Sequence, residues 1–419
     1  MRQTVGFSLK LLIVLVIFAV LFSYAMFQGG FVSWFLFIAF LPFLLYMFFL
    51  LFYPMQNWQM ERRLSKRIVQ AGESVHIEVI LTRKFPFPLY YCVMEEYFPA
   101  TLQKKDTHLE KYKWLNQPER LEHDRIVKAV TFPWFRKRIS FHYELDQVPR
   151  GEHKLGSLRI KTGDFFGFIK KEHVFKTGHT LIAFPYQRNV QFKERVYSYE
   201  QGASPSVTMS DKNTNIVAGV RDYMPGDRFQ WIDWKTTAKK NEIMTKEFEQ
   251  EKSMDMVLVL DACFHEGMNP IAFEGAVELA DSLMKVLYEK SSNLTVITIG
   301  DKKGFFPFQQ DQRQRDNLRR HFSVIKPSGR VSFGKQLRGE QLPPGIILMV
   351  VTTVINQEIK DSMERLAQKS KRVVLFLVTA TGDITDLDRQ LIRQLNYRNI
   401  TVNVLTEEQL IKQQFEVNT

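Results

Sequence analysis

Two uncharged apolar runs, residues 11–27 and 31–53, lie back to back near the start of the chain, parted only by Gln28-Gly29-Gly30. A helix needs about 20 apolar residues to cross a hydrocarbon core of ~30 Å, and each run comes close to that length. Arg2 and Lys10 precede the first run, while Arg62, Arg63, Lys66 and Arg67 follow the second; the turn carries no charge. Cationic flanks stay on the cytoplasmic side, so both ends are expected there, with the Gly-Gly turn outside. Trp34, Tyr46, Tyr53 and Trp58 are candidate interfacial anchors. A cleaved signal peptide would show a small-x-small site after the first run, and none is evident. A surface helix of a soluble domain would be apolar on one stripe only, and these are apolar all round. The expectation is a transmembrane α-hairpin over 1–58 in a multi-pass protein of the cell membrane, with both termini and the body cytoplasmic.

The rest of the 419 residues is ordinary in make-up. At 45% hydrophobic and 24% charged overall, the chain is neither a disordered tail nor a polytopic transporter. Its length allows two or three domains, each with a core. Cys92 and Cys263 are the only cysteines and lie far apart, which fits a reducing compartment. The net charge of +12 favours anionic surfaces. Lys and Arg are spread through all segments with no recognition module, so the lipid bilayer is the expected partner and nucleic acid is not.

Between 67 and 190 short alternating strands follow one another. Val75-His76-Ile77-Glu78-Val79-Ile80-Leu81 places apolar residues at every second position, and 90–97, 138–145 and 155–160 read as further strands. Turns at Pro149-Arg150-Gly151 and Gly163-Asp164-Phe165-Phe166-Gly167 separate them, the latter expected to tuck its aromatics inward. An antiparallel β-sandwich is the expected fold. The polar stretch 104–128 reads as a long loop or insertion.

Residues 191–254 hold a Ser/Thr/Gly/Asn-rich linker at 201–215 and a motif region. From 255 to 419 a continuous apolar strand at 256–260 and further strands that read as buried on both faces, at 294–299, 345–351, 373–378 and 400–405, alternate with helical stretches at 271–289, 357–368 and 386–395. That alternation predicts a doubly wound parallel α/β sheet, with ligands expected beyond the carboxyl ends of its strands, where Asp261 stands.

The most distinctive stretch is Val220-Arg221-Asp222-Tyr223-Met224-Pro225-Gly226-Asp227-Arg228, then Phe229-Gln230-Trp231-Ile232-Asp233-Trp234-Lys235. It closely resembles the signature of the domain-of-unknown-function 58 family. The N-terminal hairpin, the two turns of the strand-rich region and Phe248-Glu249-Gln250-Glu251 agree, so the resemblance spans nearly the whole chain. It implies a C-terminal domain similar to the von Willebrand factor type A fold. Family members are often encoded beside MoxR-type AAA+ ATPases and transglutaminase-like membrane proteins, and no enzymatic activity is established for the family. The motif residues Arg221, Tyr223, Asp227, Arg228, Asp233, Trp234 and Lys235 have two main uses. They form either an interdomain charge network with Trp234 and Tyr223 packed beneath, or a partner-binding surface anchored by Trp and Arg. A phosphate site lacks the Gly-rich loop it would need.

Type A domains often hold Mg²⁺ on an Asp-x-Ser-x-Ser turn, with oxygens suited to that hard cation. Here the turn reads Asp261-Ala262-Cys263-Phe264-His265, and Thr352-Thr353-Val354 follows a later strand without an Asp. The metal site at Asp261 is therefore expected to be degenerate, with no cofactor. Zinc on Asp261, Cys263 and His265 lacks motif spacing, and a Cys263/His265/Asp261 nucleophilic enzyme would need a geometry that close neighbours seldom reach. The expected role is non-enzymatic: a membrane-tethered adaptor for a protein partner, such as a MoxR-type ATPase or a transglutaminase-like membrane protein. A structural component of an envelope-assembly complex is the alternative.

Overall fold

The computed structural model describes residues 2–193, 217–224, 229–248, 255–290, 293–308, 312–329 and 331–418. The 201–215 linker, the turn Pro225-Gly226-Asp227 with Arg228, and Glu249-Gln250-Glu251 lie outside the described residues.

The two apolar runs form helices α1 (Arg2–Gln28) and α2 (Phe31–Phe52). Gly29 turns the chain between them at φ +60°, a left-handed conformation open to glycine. The helices pair antiparallel: the Phe7 ring meets Phe52, and Phe18 and Phe22 meet Phe37. Both are long and apolar enough to cross a membrane, and many of their large side chains remain exposed. The last carbonyls of α2 have no partner within the helix. Lys171 supplies one, donating to the carbonyls of Leu50 (3.3 Å), Leu51 (2.9 Å) and Tyr53 (2.6 Å).

Eight strands follow: β1 (Gln59–Leu64), β2 (Ile68–Gln70), β3 (Val75–Thr82), β4 (Tyr91–Tyr97), β5 (Ile126–Thr131), β6 (Arg138–Leu145), β7 (Gly151–Gly163) and β8 (Lys170–Phe184). They make a three-stranded sheet, β1-β3-β6, and a five-stranded sheet, β2-β8-β7-β4-β5. The alternating pattern works as its period requires: Val75, Ile77, Val79 and Leu81 are buried and join Met94, Leu158 and Leu181 of the other sheet in one core. Arg62 of β1 reaches Glu96 of β4 at 2.7 Å, and Tyr143 also donates to Glu96, so the two sheets share a buried ion pair. Arg62, counted from sequence among the flanking cations, is thus neutralised inside the body.

The 104–128 stretch departs from expectation. It contains 3₁₀ turns at His108–Trp114 and Pro118–Leu121, and Tyr112 and Leu115 are fully buried in the core of the α/β part. Two apolar anchors among many charges give no readable periodicity, which is why the stretch passes for a loop.

After β9 (Asn189–Lys193) come β10 (Val217–Asp222), the short helix α3 (Trp234–Lys240) and β11 (Met244–Phe248), the two strands pairing antiparallel. Then follow β12 (Met256–Asp261), α4 (Pro270–Lys290), β13 (Leu294–Ile299), β14 (Gly304–Phe308), α5 (Gln312–Val324), α6 (Phe333–Arg338), β15 (Ile347–Thr352), α7 (Gln357–Ala367), β16 (Arg372–Val378), α8 (Asp386–Tyr397), β17 (Ile400–Leu405) and β18 (Gln414–Asn418). The sheet order is β14-β13-β12-β15-β16-β17. Five strands are parallel, and the edge strand β14 is antiparallel, so the sheet is mixed rather than purely parallel. A short link from Ile299 to Gly304 returns the chain at once, too short for the crossover that a parallel neighbour needs. Helices cover both faces, giving two apolar clusters, one with Phe273, Val277 and Leu283 of α4 and one with Ile359 and Met363 of α7. The chain ends by pairing β18 in parallel with β9, Phe415 beside Val190. Two apolar N-terminal helices, then mixed sheets with helices, make a multi-domain α/β protein.

Candidate functional site

The signature segment builds a small unit of its own. Ile232, Met244 and Thr245 are buried, and Ile232 bridges to Thr245 beside the β10–β11 pair. Asp233 starts α3: its carboxylate accepts from the N–H of Lys235 (3.1 Å) and of Thr236 (3.0 Å). Such capping satisfies donors that a helix start leaves open. The Thr236 bond, with help from Lys235, holds the Asp233 carboxyl below the usual carboxylate range. Asn241 closes α3 in the left-handed conformation, φ 61°. Arg221 of β10 is half-buried and donates to the Asp222 carbonyl at 3.1 Å, and Tyr223 is half-buried, with its N–H on the Ile243 carbonyl.

Trp234 is 68% exposed and does not pack beneath a charge network; Lys235 is exposed beside it. Asp233 spends its carboxylate on backbone donors. Asp227 and Arg228 lie outside the described residues. The same segment also leaves Phe229 (78%), Met224, Ile243 and Val220 exposed. Exposed apolar side chains mark an interaction site where they form a contiguous patch, which makes this segment a candidate.

A second candidate lies at the carboxyl end of the α/β sheet. β12 has β13 on one side and β15 on the other, so chain order reverses there, the position at which open α/β sheets generally bind their ligands. Asp261 and Thr352 close β12 and β15 at that point. Asp261 is buried: Oδ1 accepts from the Cys263 N–H at 2.9 Å and Oδ2 from the Thr352 hydroxyl at 2.7 Å. Burial pushes its carboxyl up to about 6, against the pull of those two hydrogen bonds. Both oxygens thus bind protein groups. Among the described residues no three His, Cys, Asp or Glu side chains are placed to hold an ion. Cys263 is buried, and burial together with the Asp261 charge pushes its thiol up to about 12. His265 faces the Thr353 hydroxyl at 3.2 Å rather than the thiol.

The third assembly, missed from sequence, joins the strand-rich body to the α/β part. Glu278 on α4 is buried with Lys111, Tyr112 and Arg188 around it. Tyr112 donates to it at 2.7 Å and Arg188 at 3.0 Å, while Lys111 bridges Glu278 and Asp106, the latter at 2.7 Å. Burial opposes the Lys111 charge, but Asp106 and Glu278 outweigh it and keep the ammonium ionised. Arg188 also donates to the Leu410 carbonyl and lies over the Phe415 ring at 3.8 Å, tying in the C-terminus. Nearby, Arg150 of the Pro149-Arg150-Gly151 turn grips Glu274 through two bonds of 2.7 and 2.8 Å. It also donates to the carbonyls of Phe322, Ser323 and Ile325 at the end of α5. Burial works against Glu274 ionising, yet Arg150 holds its carboxyl below the usual range. A signal for this junction exists in the sequence: Glu278 and Asp281 interrupt a run, residues 276–287 of α4, that is otherwise mostly Ala, Val, Leu and Met.

Comparison with known proteins adds the family. The family described as "Protein of unknown function DUF58" matches residues 219–386. A Bacillus subtilis (strain 168) relative, "Uncharacterized protein YeaD", is 32% identical over 404 residues, which is 96% of each chain. Among solved structures, the PilB minor pilin from Streptococcus sanguinis aligns over 77% of this chain and 85% of its own, with 7% identity and a TM-score of 0.28. So low a score carries no argument about fold.

Proposed function

The chain belongs to the DUF58 family, and we propose that it is a membrane-tethered cytoplasmic scaffold whose signature segment docks a protein partner. The observation that carries this is Trp234 and its apolar neighbours standing in solvent on a capped, preformed unit. Aromatic anchors of this kind dominate interface energies. In this reading α1 and α2 cross the membrane with both ends cytoplasmic, as Arg2, Lys10, Arg63, Lys66 and Arg67 favour. The two N-terminal sheets act as a β-sandwich pedestal, and the α/β part is a von Willebrand factor type A-like domain whose metal position is filled by Thr352. A MoxR-type AAA+ ATPase is the proposed partner, with a transglutaminase-like membrane protein as a further member of the assembly. The raised Cys263 thiol and the orientation of His265 support a binding role over thiol chemistry.

The test is affinity purification of the full-length chain from native membranes in mild detergent, read by mass spectrometry. Wild type is compared with Phe229→Ala/Trp234→Ala, both shown to be folded. The expected result is an AAA+ ATPase retained by wild type and lost from the variant. Equal recovery of partners by both chains would overturn the docking role of this segment.

A further inference from the structure

The Asp164-Phe165-Phe166-Gly167 turn does not tuck its aromatics inward. Phe165 is 61% exposed, and Phe166 and Phe168 are also exposed. Their display is built in: the buried Asp164 carboxylate accepts from the N–H groups of Phe166 and Ile169, fixing the loop from within. Two further loops end in the same way. Tyr90 and Phe85 are exposed on one, and Phe132, Trp134 and Phe135 on the other. The fully buried Arg83 clamps these two loops, donating to the carbonyls of Phe87, Trp134 and Arg136. Trp134 itself is held at φ 46°, a conformation rare for a bulky residue, and is 57% exposed all the same.

The rings form one connected band. Tyr90 touches Phe132, Trp134 and Phe165 at centroid distances of 6.0, 6.5 and 5.2 Å, and Phe165 touches Phe166 at 5.3 Å. Phe166 then meets Phe43 and Phe40 of α2 at 5.6 and 6.4 Å. Phe43 lies nine residues before the end of α2, so at 1.5 Å per residue the loop meets the helix roughly 13 Å inward of that end. The exposed charges beside the band, Lys84, Arg136, Lys137, Arg138 and Lys170, are all cationic, and residues 84–90, 132–138 and 165–171 contain no Asp or Glu. Lys10 of α1 donates to the Lys170 carbonyl, fixing this edge against the helical pair.

We propose that these three loops form an aromatic rim that inserts into the cytoplasmic leaflet around α1 and α2, with the adjacent cations on anionic headgroups. The occupant is the lipid interface because the band runs on without a break from the membrane-length helix. Aromatic tips with a cationic fringe are the composition that interfacial insertion requires. The rim would hold the body close against the bilayer instead of leaving it swinging on two helix ends. This inference rests on the reading that α1 and α2 span the membrane.

The test uses the full-length chain in vesicles of phosphatidylcholine and phosphatidylglycerol, with an environment-sensitive fluorophore on Phe165→Cys, Phe135→Cys or, as control, Tyr397→Cys. Cys92 and Cys263 are buried, and burial pushes both thiols up to about 12, so labelling goes to the introduced site. Tyr397 is 89% exposed on α8. The expected result is blue-shifted emission at 165 and 135, quenched by lipids brominated in the acyl chain and shielded from iodide, with the reverse at 397. Labels at 165 and 135 as open to iodide as 397 would overturn the rim while leaving the anchor intact. Labels shielded from iodide yet untouched by brominated lipid would overturn it too, since protein would then cover the band. An alkaline wash that strips the chain from the vesicles would remove the anchor, and the rim with it.

Discussion

The junction around Glu278 and the signature segment around Trp234 invert the usual expectation for inside and outside. The junction is charged and sealed: Lys111, Arg188, Asp106 and Glu278 are all buried. The segment is rich in apolar side chains and open. A buried ionic cluster seldom adds stability over an apolar one, but it is costly to break and demands one geometry. It therefore suits a joint between two bodies that must dock in a single orientation. An exposed aromatic group adds little to folding, and its contribution comes when a partner removes it from water. Trp234 and Lys235, within the most distinctive stretch of the sequence, are thus at the surface, while the residues that hold the chain together are unremarkable Lys, Glu and Arg scattered over nearly 170 positions.

The contrast can be broken by mutation. Glu278→Ala leaves Arg188 buried without its carboxylate and Lys111 with Asp106 alone, and is expected to cost about 3–5 kcal/mol, read by denaturant unfolding of the full chain in detergent. A cost below ~1 kcal/mol would mean that water reaches the cluster, and the distinction between sealed and open would fall. Asp261→Asn should next alter the pH dependence. The folded chain holds the Asp261 proton up to about 6, against 3.8 for a free carboxyl. Folding is therefore favoured while that proton is bound, and wild-type stability should fall as pH rises from about 4 to about 6. The loss is on the order of 3 kcal/mol, and the Asn variant should lack it. Identical pH profiles would show that Asp261 is not buried as described.

The smallest effects belong to the segment. Trp234→Ala should change stability by less than ~0.5 kcal/mol, because the side chain is mostly solvated already. Asp233→Ala should speed amide exchange within α3 without lowering the main unfolding transition, as the cap serves that short helix alone. A large global loss from Trp234→Ala would instead return the motif to a structural role.

Where a pattern is local, the chain can be read directly. The strand at 138–145 and the helix starting at Gln357 fall where alternation and periodicity put them, since a period of two or 3.6 is a property of neighbours in sequence. Two apolar helices of membrane length follow from composition alone. Asp261 at the end of a buried strand was legible for the same reason.

What the sequence could not carry were relations between distant positions. Lys111 looks like any solvated lysine until folding brings Glu278 to it across 167 residues. Arg150 reads as a turn residue until the end of α5 is placed against it. Phe165 and Phe166 look like core aromatics in a tight turn, and only the tertiary structure turns them outward beside Phe43. Sequence determined the elements, because hydrogen bonding and side-chain period act over a few residues. The tertiary structure decided which charges are buried, which aromatics are exposed and which bodies are joined, because burial depends on everything that packs around a residue.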